Sequence, residues 1–201
     1  MSETNTTRNT TEKNFNDIDG KLPIGKYIGK ALLGWLECEF FGFFVFLFFW
    51  SFISVSGIAG NIIFTIIGIL IIGCIMFDKG LKLGDEARKK VALHGAKPCK
   101  YLGFGLGAAA MIPSYIIYFI LILSRAGVIG NFLPIYKILN AGFFPLIDVF
   151  AHSVSVNDAS IGLFIVMAIA PLLYMFSMGA AYILGYNNVD LKTKFMYKDK
   201  K

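Results

Sequence analysis

Asp148 and His152 are the residues whose types and spacing first suggest chemistry. Four residues apart, they can share one helix face and offer a carboxylate and an imidazole, both ordinary metal ligands. No third ligand completes the set, so the pair falls short of a metal centre. Glu37 and Glu39 open a long apolar run. Carboxylates buried in hydrocarbon mark proton or cation sites, whereas acids at a helix start are stabilised by the helix dipole and by a neighbouring Lys. The second role is the expected one for both.

His94 and Cys99 have no catalytic or metal spacing, and Lys89-Lys90 fits a basic charge cluster better than a phosphate clamp. No Ser, Thr or Cys lies in a nucleophile motif. Gly103, Gly105 and Gly107 imitate a dinucleotide-binding turn, but an apolar run follows them and no strand precedes them, so Gly103 and Gly107, at spacing four, are read as a face for close helix packing. The chain is therefore expected to carry no catalytic residue, no cofactor and no metal, and not to be an enzyme. A lipid-modifying activity would need polar groups converging at one interface, which Glu37, Glu39 and His94 do not supply.

The elements that would hold these residues are apolar rods. Of 201 residues, 56% are hydrophobic, and the mean hydropathy is +0.66, more than one soluble core of this size can hide. Crossing roughly 30 Å of hydrocarbon takes about 20 helical residues. Backbone polar groups in lipid must be paired within the segment, which selects helices, and the period-2 alternation of a barrel is absent. Four spans are predicted, at 37–56, 62–77, 102–124 and 159–186. The first is crowded with Phe, as a lipid-facing helix would be. The third carries Pro113 as a kink. The last has Asn157 or Asp158 as N-cap, Pro171 near its middle, and Gly179, Ala180, Ala181 and Gly185 as a small-residue face.

Charge orients the rods. Every Lys and Arg except Arg125 and Lys137 lies in 1–36, 77–101 or 187–201, which places those segments on the cytoplasmic side. A net charge of +6 distributed this way is a topology signal and excludes a nucleic-acid-binding patch. Cys38, Cys74 and Cys99 fall near the same face, so no disulfide is expected.

Residues 1–20 lack large apolar side chains and are expected to be a disordered tail. In 21–36, Ile24, Tyr27, Ile28, Ala31, Leu32, Trp35 and Leu36 repeat with helical spacing, with Lys26 and Lys30 opposite. That pattern predicts an amphipathic helix lying on the inner leaflet, with Trp35 as interface anchor. The connector 78–101 should continue the second helix until Gly95 and Pro98 end it, and 187–201 forms a second basic tail. Between 125 and 158, Pro134, Lys137, Asn140, Gly142, Pro145 and Asp148 interrupt an apolar stretch. Two short interfacial or re-entrant helices starting near Pro134 and Pro145 keep the C-terminus inside, where a fifth span would not. Phe143, Phe144, Leu146, Ile147 and Phe150 of this external cap are the candidate interaction surface.

Leu83-Gly84-Asp85, PIYKILNAGFFPLI at Pro134–Ile147 and ILGYNNVDLKTKFMYK at Ile183–Lys198 resemble an uncharacterised family of small four-helix bacterial membrane proteins. The resemblance covers most of 80–198. It implies the same topology and a bacterial plasma membrane, and brings no activity and no site residues.

The expected fold is thus all-α and integral to the membrane: four transmembrane helices as two helical hairpins, both termini cytoplasmic, with an amphipathic N-terminal helix and an apolar external segment. The expected role is an accessory or interaction subunit whose partners are the bilayer and another membrane protein or a second copy. The alternative is a small permease or oligomeric channel lined by Ser114, Tyr115, Tyr118 and Ser177 around kinks at Pro113 and Pro171. A continuous polar cavity through the bundle would favour transport, and a filled core a partner.

Overall fold

A computed structural model describes residues 21–151 and 154–188, with the side chains of 49–54 and 56 excepted. The two tails, His152 and the rings of Phe49, Trp50 and Phe52 lie outside the described residues. All regular structure among the described residues is helical. Four helices are long and apolar enough to cross a membrane: α1 (Ile24–Phe48), α2 (Gly57–His94), α3 (Leu102–Arg125) and the run Ile161–Tyr186. The last is broken into α6 (Ile161–Ile169) and α7 (Leu172–Tyr186). Pro171, which has no N–H to offer the preceding turn, stands at the break. Between α3 and α6 lie α4 (Leu133–Leu139), a 3-10 turn (Ala141–Phe143) and α5 (Phe144–Ala151).

Helix runs from Ile24 to His94 with a kink at Gly57, whose dihedrals (φ 57°, ψ −136°) are non-helical and need glycine. Lys30 of α1 meets Glu86 of α2 at 2.6 Å, and Glu37, further along α1, meets Lys79, further back on α2, at 2.7 Å. The two segments therefore lie side by side in opposite directions. α2 ends where the sequence predicts, at Gly95 in the left-handed conformation (φ 65°).

Residues 24–36 are not a separate surface element. They are the first turns of α1, and Tyr27 and Ala31 are fully buried. Part of their apolar stripe, Tyr27 and Ala31, packs inside the protein, while Ile24, Leu32 and Leu36 stay exposed. Gly34 lets α1 approach Met76 and Lys79 closely, and Lys30 pairs across to the polar end of α2.

α7 packs along both α2 and α3. A Cβ on Gly107 would stand 2.6 Å from Met175 Cα, and one on Gly80 the same distance from the Met178 carbonyl oxygen. Gly103 faces the Tyr182 ring, Gly179 the Phe104 ring, and Gly84 and Gly185 the α7 and α2 backbones respectively. Small residues thus bring backbones together on both flanks of α7, where helices in lipid gain association energy from close packing. Pro113 lies inside α3 without ending it. The last span begins at Ser160, whose hydroxyl accepts from Leu163 N–H, and not at Asn157 or Asp158, which belong to a preceding 3-10 turn.

The segment between α3 and α6 returns to the end from which it departs. Asn131 donates to the Val154 carbonyl at 2.7 Å and accepts from Val156 N–H at 3.0 Å, so entrance and exit touch. Arg125 ties the same corner to the carbonyls of Val156 and Asn157. Inside, α4 and the helix after it meet at 97°. The bend, Asn140 to Phe143, is driven between α1 and α2: a Cβ on Gly42 would strike the Gly142 backbone, and Gly68 faces the Gly142 carbonyl. Gly68 is eleven residues past Gly57, about 16 Å at 1.5 Å per residue, or roughly half the thickness of a hydrocarbon core.

Candidate functional site

Glu37 and Glu39 are two residues apart on α1, which turns their side chains roughly 200° from one another. Their fates differ accordingly. Glu37 reaches outward to Lys79. Glu39 points into the bundle and is 8% exposed. The expectation that both acids are stabilised at the membrane face is therefore corrected for Glu39, whose partners come from elements more than a hundred residues away.

Tyr174 of α7 donates its phenolic O–H to Glu39 Oε1 at 2.8 Å, and Gly142 N–H donates to Oε2 at 3.3 Å. Gly142 has an orphan donor because a new helical turn starts there, with Phe143 N–H already bonded back to the Asn140 carbonyl. A buried backbone N–H without an acceptor costs about 1–3 kcal/mol, and irregular backbone survives at membrane depth only where protein satisfies it. Glu39 supplies that acceptor. On the other side, Ser114 of α3 bonds Tyr174, and Trp35 Nε1 donates to Ser114 Oγ at 2.9 Å. A chain of hydrogen bonds thus joins Trp35, Ser114, Tyr174, Glu39 and Gly142, and with them α1, α3, α7 and the inserted turn. Trp35 is the outer end of this chain.

Asn140 at the bend is fully buried. Its amide nitrogen reaches the Tyr136 carbonyl at 3.3 Å, while its Oδ1 has no partner. Across the bend, Lys137 and Asp148 pair at 2.8 Å, with Lys137 over the Phe144 ring. Asp148 is thereby committed to a cation. Among the described residues no group of three potential metal ligands comes together.

The five residues expected to form an exposed apolar surface do not form one. Phe143, Phe144 and Ile147 are buried, and Leu146 and Phe150 are partly buried against the core. The Phe143 ring lies edge-on to Tyr174, and Phe144 packs on Phe46 of α1. The bend turns the apolar face of α5 inward, so the segment buries what a flat cap would expose. Gly103, Gly107, Gly179 and Gly185 each lie at a helix contact. Gly42, Gly68, Gly80 and Gly84 do too, and the sequence alone did not single them out. Glycine at spacing four in Gly80–Gly84 was a readable signal, masked by the charges around it.

The residues proposed to line a pathway do not converge. Ser114 is buried in the hydrogen-bond chain, Tyr115 and Tyr118 donate to the Ala168 and Phe164 carbonyls of the broken helix at 2.9 Å, and Ser177 faces the opposite flank of the bundle. Two clefts of about 430 and 480 Å³ share Ile69 and Leu173 and open on the side of the bundle, between α2 and the broken helix. Their walls are mainly apolar. Cys74, Asp78 and Ser177 line only the second.

No protein-family model, curated protein or solved structure significantly matches the chain.

Proposed function

We propose that the chain is a plasma-membrane protein of two helical hairpins, with both termini and the basic connector in the cytoplasm, that serves as an accessory or interaction subunit. The basic residues at the Gly95 end of the bundle support the orientation. The observation that carries the role is where the space lies. Fully buried Tyr27, Tyr136, Tyr174, Tyr182, Leu106, Leu121 and Leu163 fill the region between the helices, while the two large clefts open sideways onto the lipid-facing flank. A groove of that kind suits an apolar helix of another membrane protein. A photo-crosslinking side chain at Leu173, in the groove, is expected to give a discrete protein adduct in cells, and one at Ile116, exposed on α3, to give lipid adducts alone. Lipid adducts from both positions would remove the support for a partner.

The second reading, a small permease, draws on Glu39: an acid at mid-depth in the bundle is the kind of group that ion-coupled transporters use. Proton or cation flux into vesicles holding the purified chain would favour it.

A further inference from the structure

Glu39 accepts through both of its oxygens, Oε1 from Tyr174 and Oε2 from Gly142 N–H. A glutamine has one accepting oxygen and would turn its NH2 toward the other donor, so the seat takes a carboxyl, a group that can ionise away from water. Among the described residues, the surroundings offer a negative charge hydrogen-bond donors but no cation. From α1, Cys38 is buried beside it, and Glu37 is occupied by Lys79 of α2. From the inserted segment come Tyr136, Asn140 and the Gly142 N–H, while Lys137 and Asp148 engage one another. From α7 comes Tyr174, and from α3 only Ser114, acting through Tyr174. Among the described residues no Lys, Arg or His contacts the carboxyl. The void beside the Gly142 turn is about 10 Å³ and is walled by Cys38, Gly42, Gly68, Ile72 and Pro145 among others, at the lower limit for one water and poor in polar partners. The seat is close-packed and nearly dry.

What closes the seat is also what can open it. At its tip the turn presents Gly142, with no side chain, to Gly42 and Gly68, while Phe143 and Phe144 hold its far side against Tyr174 and Phe46. Asn140, fully buried beside it, has an Oδ1 that finds no partner. Lifting the turn would admit water to the carboxyl and to that oxygen together.

We propose that Glu39 is a membrane-embedded proton-binding site whose occupancy is coupled to the seating of the Gly142 turn. With the turn seated, the carboxyl holds its proton. When the turn lifts, the O–H bond breaks, the proton passes to incoming water, and that water solvates the carboxylate left behind. The site stands whether the chain serves a partner or a permeation path.

The test uses the full chain in phosphatidylcholine vesicles and a lipid-soluble carbodiimide, which reacts with protonated carboxyls, with adducts located by mass spectrometry. The expected result is an adduct on Glu39 at pH 5.5 that falls at least tenfold by pH 9, and none at position 39 in E39Q. G42A, whose new Cβ displaces the turn, is expected to label several-fold less than the native chain at pH 7. If G42A does not fold, Y174F, which removes one donor and little volume, is expected to move the pH of half-labelling. A yield on Glu39 that is independent of pH, or no adduct there at any pH, overturns the proposal. Unchanged labelling in folded G42A, or an unmoved midpoint in Y174F, overturns the coupling to the seat.

Discussion

Tyr174 and Glu39, 135 residues apart, are joined by a hydrogen bond of 2.8 Å at the centre of the bundle. The bond ties the last helix to the first. It also completes the set of donors that lets a carboxyl group stand where the inserted turn needs an acceptor. Because Ser114 bonds the same phenol, the two contacts belong to one network, and deleting one changes the worth of the other.

Y174F is therefore expected to destabilise the chain in detergent by about 1–3 kcal/mol, the usual cost of stranding a buried polar partner. S114A, which strands Trp35 Nε1, should cost a similar amount. The double variant should fall short of the sum by at least about 0.5 kcal/mol, as coupled neighbours do. Thermal melts of the four proteins measure this, and strict additivity would mean that the hydrogen-bond chain is not a unit.

Gly84 and Gly73 make a matched pair on α2. A Cβ at Gly84 would enter the α7 backbone at Tyr182 and Tyr186, where no side chain can move aside, whereas one at Gly73 meets nothing within 4 Å. Gly84→Ala should cost about 1–3 kcal/mol through overpacking. Gly73→Ala should be neutral or gain up to about 1 kcal/mol from helix propensity. Equal effects at the two sites would contradict the close approach of α2 and α7.

These glycines show how much of the fold was legible. Punctuation that acts within a few residues could be read: Gly95 ends α2, and Pro134 and Pro145 each lie in the first turn of a short helix. Lengths and apolar runs disclosed the four long helices. What could not be read depends on partners far along the chain. Nothing near Glu39 separates it from Glu37. Only the turn at Gly142 and the phenol at Tyr174 do so, and both arrive by packing. That the amphipathic start of α1 continues into the span, with Tyr27 and Ala31 buried in protein, was hidden for the same reason, since an apolar stripe fits a membrane surface as well as a neighbouring helix. Phe143, Phe144 and Ile147 looked like a surface because composition reports that a side chain is apolar and not which way a 97° bend turns it.

Glu37 and Lys79 give the antiparallel pairing of α1 and α2 a chemical test. Both are partly exposed, at 35% and 24%, so their coupling in a double-mutant cycle with Gln and Met should be about 0.5–1 kcal/mol and should shrink in high salt. Charge reversal at either site alone should destabilise, and reversal at both should restore most of the loss. No rescue would place the two residues apart.

Lys137 and Asp148 brace the bend, with Lys137 the more buried partner at 14%. Asp148→Asn removes the counter-charge and is expected to cost about 1.5–3 kcal/mol, in the range of charge-assisted hydrogen bonds. A chelator should leave the melting temperature of the native chain unchanged. A drop on chelation would mean that Asp148 holds a metal after all.

The most direct measurement concerns the segment that the whole site is built on. In chains whose other cysteines are replaced by alanine, single thiols are placed at Gly130→Cys, where a side chain meets no neighbour, and at Ser155→Cys, and a third chain keeps the native Cys99. An impermeant thiol reagent applied to intact cells should label both engineered positions, one on each side of the inserted segment, and leave Cys99 untouched until the cells are opened. Labelling at only one of 130 and 155 would make the segment a fifth crossing, and the seat at Glu39 would go with it.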